Sequence, residues 1–295
     1  MIVAVASGKG GTGKTTVTAS LVSVWDRPVA AVDLDVEEPN LHLFLHPDLG
    51  HEESVYMEVP EADEDKCTYC RACAEICQFK AIAVMGETLL TFPEMCHGCG
   101  GCLAVCPEGA LSPGRRVLGT LQQGSAGEAG YLMGRLRVGE AMSPPLMRAV
   151  KARLRDTLEQ TPRDRRPDAV LDAPPGVSCP AVNAVMDCDC ALLVTEPTPF
   201  GFHDFCLAWE AFQPLGPPMG AVINRAGLGD DSVQRFCKDK GIPVLAEIPY
   251  DPAIAKAYSL GRLVAEVSPE LRGRFENLRD ATRALAAGKL EAAHV

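Results

Sequence analysis

Eight of the thirteen cysteines stand in two runs of identical spacing, Cys67-x2-Cys70-x2-Cys73-x3-Cys77 and Cys96-x2-Cys99-x2-Cys102-x3-Cys106-Pro107. Thiols at this spacing suit iron–sulfur chemistry. The first three of a run curl around one cubane, and the fourth reaches across to the other. The expected ligand sets are therefore Cys67, Cys70, Cys73 and Cys106 for one [4Fe-4S] cluster, and Cys96, Cys99, Cys102 and Cys77 for a second. A zinc site needs only four ligands and leaves the final cysteine of both copies unexplained. Gln78 follows the fourth cysteine of the first run, where the second run has Pro107. That departure touches the local turn, not the ligands.

A second constellation has residue types suited to phosphate. The segment Ser7-Gly8-Lys9-Gly10-Gly11-Thr12-Gly13-Lys14-Thr15-Thr16 follows an apolar run and opens a helical one. Its glycines let successive backbone N–H groups turn inward on phosphate oxygens. Lys14 is placed to reach the β- and γ-phosphates of ATP, and the Thr15 hydroxyl to ligate Mg²⁺. Carboxylates complete the centre. Asp33 and Asp35 alternate onto one side of a strand end, where they can orient metal-bound and attacking waters. Asp172 ends another strand, in Val170-Leu171-Asp172-Ala173-Pro174-Pro175-Gly176, as a Walker-B aspartate does.

These groups need a scaffold. Residues 2–6 and 28–34 read as buried strands with a helix over 15–25 between them. Further strand candidates lie at 169–171, 191–195, 220–223 and 244–246, with helices between. This alternation predicts an α/β fold: a doubly wound, mostly parallel P-loop NTPase sheet. Composition breaks at an acidic stretch, 52–66, before the cysteines, and a Gly- and Ser-rich stretch over 114–130 predicts a loop or hairpin after them. The expected domains are thus a P-loop ATPase domain, 1–55 and 115–295, and an inserted small α+β unit, 56–114.

An apolar share of 47% with 23% charged residues is ordinary for a globular protein. No run approaches the roughly 18 apolar residues of a membrane span. The start, MIVAVAS, has no signal-peptide layout, so the expected location is the cytoplasm, where cysteines serve metals rather than disulfides. A net charge of −11 argues against nucleic acid and anionic membrane as partners. The stripe Leu271, Phe275, Leu278 and Leu285 reads as a helix packed on the domain. Cys179, Cys188, Cys190, Cys206 and Cys237 read as small buried side chains.

Lys9, extra to the ordinary phosphate motif in GKGGTGKTT, resembles the deviant Walker-A superfamily of MinD and ParA, Mrp-type cluster carriers and the nitrogenase iron protein. With DLDVEEPNLHLFL, GRLRVGEAMSPP, DAPPGVSCP, TEPTPFGFHD and both cysteine runs, the chain resembles MinD-superfamily ATPases carrying an inserted ferredoxin domain, over nearly its whole length. Such proteins are often described by remote similarity to cobyrinic acid a,c-diamide synthase, but this chain shows no glutamine-amidotransferase module.

The resemblance implies that Lys9 reaches the nucleotide of the other subunit across a dimer. It implies that Asp35 helps activate water, leaving Asp33 as an indirect Mg²⁺ partner. Asn224 sits where the superfamily reads adenine, and Pro249 lies in the segment Glu247–Asp251 that closes over the base. Cys179 has the spacing from Asp172 of the iron protein's ligand, but no partner cysteine lies between Pro107 and Ser178, so a third, intersubunit cluster is not expected. The expected function is a slow Mg²⁺-dependent ATPase, a homodimer or a heterodimer with a paralogue, whose nucleotide state is coupled to two clusters and to a redox or metal-cofactor partner protein. Alternatives are a cluster assembly carrier and a redox-sensing positioning ATPase like MinD.

Overall fold

Val3 and Val5 of the first strand, β1 (Ile2–Ala6), face one core and Ala4 and Ala6 the other, all fully buried. A strand apolar on both faces must lie inside a sheet covered twice. The computed structural model describes residues 1–289. After β1 come α1 (Lys14–Ser23), β2 (Val29–Asp33), the one-turn α2 (His42–Leu45) and a long β3 (Asp48–Ala62). The cysteine-bearing segment holds α3 (Ala72–Ile76), β4 (Ile82–Val84), β5 (Leu89–Thr91) and α4 (Gly101–Ala104). The chain returns through β6 (Leu111–Ala126) and β7 (Ala129–Leu136) to α5 (Ser143–Gln160), β8 (Asp168–Asp172), α6 (Cys179–Val185) and β9 (Cys190–Thr195). It ends with α7 (Pro199–Phe212), β10 (Met219–Ala226), α8 (Ser232–Lys240), β11 (Val244–Pro249), α9 (Pro252–Ser259) and α10 (Pro269–Ala286).

Nine strands form one sheet in the order β11-β10-β9-β1-β8-β2-β7-β6-β3. Every pairing from β11 to β7 is parallel, as the alternation of strands and helices predicts. Helices α5 to α8 cover one face; α1 and α10 cover the other, where Leu271, Phe275, Leu278 and Leu285 are all buried. Burying a side chain such as Phe275 stabilises the fold by about 1.5–3 kcal/mol. No helix among the described residues is long and apolar enough to cross a membrane.

At the far edge the sheet continues past its parallel strands. The Gly-rich stretch over 114–130 forms the β6–β7 hairpin, and β3 and β6 run antiparallel from Asp48↔Ser125 to Ala62↔Leu111. The cysteine unit proper is therefore residues 63–110, at the tip of a ribbon continuous with the nucleotide-side sheet; the span 56–114 takes in the ends of both strands. β3 hides its strand character because it is an edge. Most of its residues are exposed and many are acidic, so apolar alternation is faint. Pro60 and Pro113 face each other near the tip, beyond the reach of β7, where the ribbon has only two strands and both prolines lie on an edge.

Candidate functional site

The loop between β1 and α1 is shaped by residues in the left-handed region, Gly11 (φ 80°) and Gly13 (φ 90°). At Gly13 a Cβ would strike Asn224, whose side-chain amide donates to the Thr12 carbonyl at 2.7 Å. Asn224 and Pro249 line a cleft beside Gly11, Gly13 and Thr16, with Tyr250 and Tyr258 on its wall. The structure thus gathers the residues expected for the base around the mouth of the loop. Thr12 Oγ1 is buried with no hydrogen-bond partner among the described residues, an unmet polar atom inside the loop.

Asp172 organises the phosphate end. Its Oδ1 lies 2.8 Å from Lys14 Nζ and accepts from Thr18 Oγ1 at 2.9 Å, while Oδ2 accepts from Thr15 Oγ1 at 2.6 Å. Lys14 and Asp172 are both buried, so each neutralises a charge that would otherwise be stranded. Asp33 is also fully buried, but its two oxygens accept from the backbone N–H groups of Asp35 and Leu41, each at 3.0 Å. It braces the loop that follows β2, and Asp172, not Asp33, touches Thr15. Burial and the neighbouring Asp172 push the Asp33 carboxyl well above its usual range. Burial likewise raises half-buried Asp35 to about 6, outweighing the attraction of Lys14.

Lys9 does not hang free. Its ammonium lies 2.6 Å from Glu196 Oε1, just past β9, and Arg225 Nη1 lies 2.5 Å from the other oxygen. Thr198 Oγ1 donates to the same carboxylate at 3.2 Å. Burial pushes Glu196 up, but Lys9 and Arg225 outweigh it and hold the acid below its ordinary value. Sequence reasoning missed Glu196 and Arg225. The available signal was an acid directly following the wholly buried strand Cys190–Thr195, whose first five residues are apolar.

The eight cysteines of the two runs divide between two cavities. One is lined by Cys67, Cys70, Cys73 and Cys106; the other by Cys77, Cys96, Cys99 and Cys102. The copies match in detail. The amides of Tyr69 and Gly98 donate to the thiols of Cys67 and Cys96, each at 3.4 Å, and those of Ala81 and Ala110 to Cys77 and Cys106, each at 3.2 Å. Equivalent positions take positive φ: Tyr69, Arg71 and Lys80 in the first copy, Gly98, Gly100 and Gly109 in the second. Burial pushes the equivalent thiols of Cys73 and Cys102 up. Among the described residues no three His, Cys, Asp or Glu side chains converge as a single metal ion requires.

Of the other cysteines, Cys188, Cys190 and Cys237 are buried as expected, Cys206 is half-buried and Cys179 is exposed at the start of α6. Burial pushes Cys188, Cys190 and Cys237 to about 12, so they remain inert thiols.

Residues 3–264 match the model of the CobQ/CobB/MinD/ParA nucleotide binding domain. Uncharacterized protein MJ0579 of Methanocaldococcus jannaschii is 29% identical over 282 residues, 94% of this chain and 96% of that one. MJ0578 of the same organism is 29% identical over 287 residues, 95% and 97% of the two chains. Among solved structures, the septum site-determining protein MinD of Pyrococcus horikoshii, complexed with Mg-ADP, shares the fold with a TM-score of 0.58 at 22% identity, covering 100% of this chain and 99% of that one.

Proposed function

The chain belongs to the CobQ/CobB/MinD/ParA nucleotide-binding domain family, and from that premise we propose that it is an ATP-hydrolysing dimer switch coupled to two [4Fe-4S] clusters. The observation that carries the cluster assignment is the crossed grouping of thiols, Cys106 with the first run and Cys77 with the second. Each set surrounds a volume rather than a point, an all-thiol donor set with backbone N–H groups turned on the sulfurs; that suits a multi-atom iron–sulfur cluster. When bound, the clusters supply one-electron storage. The protein supplies ligands, burial and amide donors that set how readily that electron is held.

At the nucleotide end, Mg²⁺-ATP fits the donor set: Thr15 and Asp172 for the metal, with Asp33 bracing the adjoining loop, and Lys14 with the amides over Gly8–Thr16 for the phosphates. Lys14 leaves Asp172 to neutralise phosphate charge. Asp35, ionised above about pH 6, positions the attacking water. Lys9 lies on the rim and pairs with an acid of its own subunit. Transfer of that ammonium to the phosphates of a second subunit makes association depend on ATP. The partner is a second copy or a paralogue; two full-length relatives in one organism support the latter. Delivery of a cluster to a recipient is the second reading, favoured by the exposure of Cys70 and Cys99.

The test of the switch is sedimentation of Asp35→Ala protein, which traps ATP, with and without Lys9→Ala. ATP should pair the first and leave the second monomeric at equal nucleotide occupancy. Monomers in both, with the paralogue also present, would contradict the reading.

A further inference from the structure

Arg116 of β6 is buried, only 7% exposed, although it carries a charge. Its guanidinium pairs with Glu140, lies 3.1 Å from Glu94, and reaches the carbonyl of Cys96 at 3.4 Å. The Glu140 side chain is buried too, and Arg137 joins the group, pairing with Glu94 and lying 3.6 Å from Glu140. The other oxygen of Glu140 accepts from the amides of Ala141 and Met142 at 3.0 and 2.9 Å, immediately before α5. Met142 packs with Met57, Val59, Leu118 and Cys96 in a small apolar cluster of its own. One guanidinium therefore holds both the entry to α5 and the first cysteine of the second run.

The same segment touches the loop after β2. Val36 follows Asp35, accepts from the Leu136 amide at 2.9 Å, and packs with Leu146 and Val150 of α5. Gly134 lies so close that a Cβ there would meet Val36, Val150 and Leu146 together. Interiors packed this tightly do not absorb a shift; they pass it on. A displacement of Val36 must move the end of β7 or α5, and both run directly into Arg137 and Glu140. The first cysteine run has no counterpart. Its local ion pair is Asp63–Lys66 at 2.6 Å, and among the described residues no ion pair joins that run to the nucleotide-side body.

We propose that Arg116 is the positioning residue through which the loop at Asp35 acts on the second thiol cavity, that of Cys77, Cys96, Cys99 and Cys102, while the first cavity is left insensitive to nucleotide. This rests on the nucleotide-switch reading and adds that only one of two near-identical sites senses it.

The internal repeat supplies its own control. Hydrogen–deuterium exchange on the anaerobic full-length protein compares residues 96–99 with residues 67–70, with ADP and with a non-hydrolysable ATP analogue. Exchange over 96–99 should change about fivefold between the nucleotides, the lower end of ordinary allosteric coupling, while 67–70 stays level. Arg116→Met should erase the difference with nucleotide affinity unchanged. Glu94→Gln, at a side chain 65% exposed, removes its ion pairs to Arg116 and Arg137 but leaves Arg116 on Glu140 and Cys96, so with little risk to folding it should reduce the difference. Equal change in both runs, no change with nucleotide bound, or full change in both variants overturns the assignment. Failure of either nucleotide to bind refutes instead the nucleotide switch on which it stands.

Discussion

Glu196→Gln tests what restrains Lys9. The ammonium lies 2.6 Å from the Glu196 carboxylate, with side chains 28% and 7% exposed. Two unit charges about 3 Å apart attract by roughly 5–6 kcal/mol at an effective dielectric near 20. Lost hydration offsets most of this, leaving about 1.5–3 kcal/mol for a charge-assisted hydrogen bond. A symmetric pair must break the contact twice. Glutamine keeps the shape and a weaker hydrogen bond, so it should release about 1.4 kcal/mol per subunit, or roughly 100-fold in the association constant. Sedimentation across a protein concentration series at saturating ATP, in an Asp35→Ala background, reads that constant. Arg225→Gln should move it the other way, because Glu196 then holds Lys9 alone. An unchanged or weaker association in Glu196→Gln refutes the reasoning: Glu196 would then be aligning Lys9 for its partner, not detaining it.

Lys14→Ala should abolish hydrolysis and weaken ATP binding by more than about tenfold, since it removes the buried cation aimed at phosphate, whereas Asp35→Ala should slow turnover with binding nearly intact; nucleotide titration beside a phosphate-release assay separates them. Because burial raises Asp35 to about 6, kcat/KM should fall as pH drops through that value and the carboxylate takes up its proton. Stability runs the opposite way. The folded chain holds this proton more tightly than the unfolded one, so its contribution is full below 3.8 and lost as pH rises through about 6. Asp35→Asn should therefore raise Tm in Mg²⁺-free buffer near pH 8, by up to about 3 kcal/mol of stability, by roughly half that near pH 5, and hardly at all near pH 3. Arg71→Gly should stabilise the cysteine unit by about 1 kcal/mol, read by thermal melting, because φ 67° strains arginine but not the Gly100 found at the equivalent position. Cys106→Ala should remove the site shared with Cys67, and Cys77→Ala the site shared with Cys96, each by metal analysis and EPR; loss of the opposite site would contradict the crossed assignment.

The nucleotide centre was legible because its signals are local. Glycine spacing, Lys14, Thr15 and the aspartates ending apolar strands all lie within a few residues of the elements that position them. The cysteine grouping was legible for a different reason: tandem duplication writes the crossing into the spacing. Asp33 shows the limit. Alternation placed it beside Asp35, but only the fold gives its oxygens to the amides of Asp35 and Leu41 and leaves Asp172 on Thr15. What Glu196 and Arg116 pair with was hidden because their partners are distant in sequence: Lys9 is separated from Glu196 by 187 positions, and Arg116 meets Glu140 and Cys96 only after β6 is laid into the sheet. The edge strand β3 was hidden by its own chemistry, since acidic residues on an exposed edge keep it from pairing with another chain and also erase the apolar pattern that marks a strand.

The central claim is that one chain joins an ATP site to two iron–sulfur clusters, and metal analysis with EPR on anaerobically purified protein tests it most directly. The account predicts about eight iron and eight sulfide per chain with no stoichiometric zinc, and, after reduction, a spectrum in which the signal from one cluster shifts between ADP and ATP. Zinc in place of iron, or two clusters whose signals are identical with and without nucleotide, would contradict it.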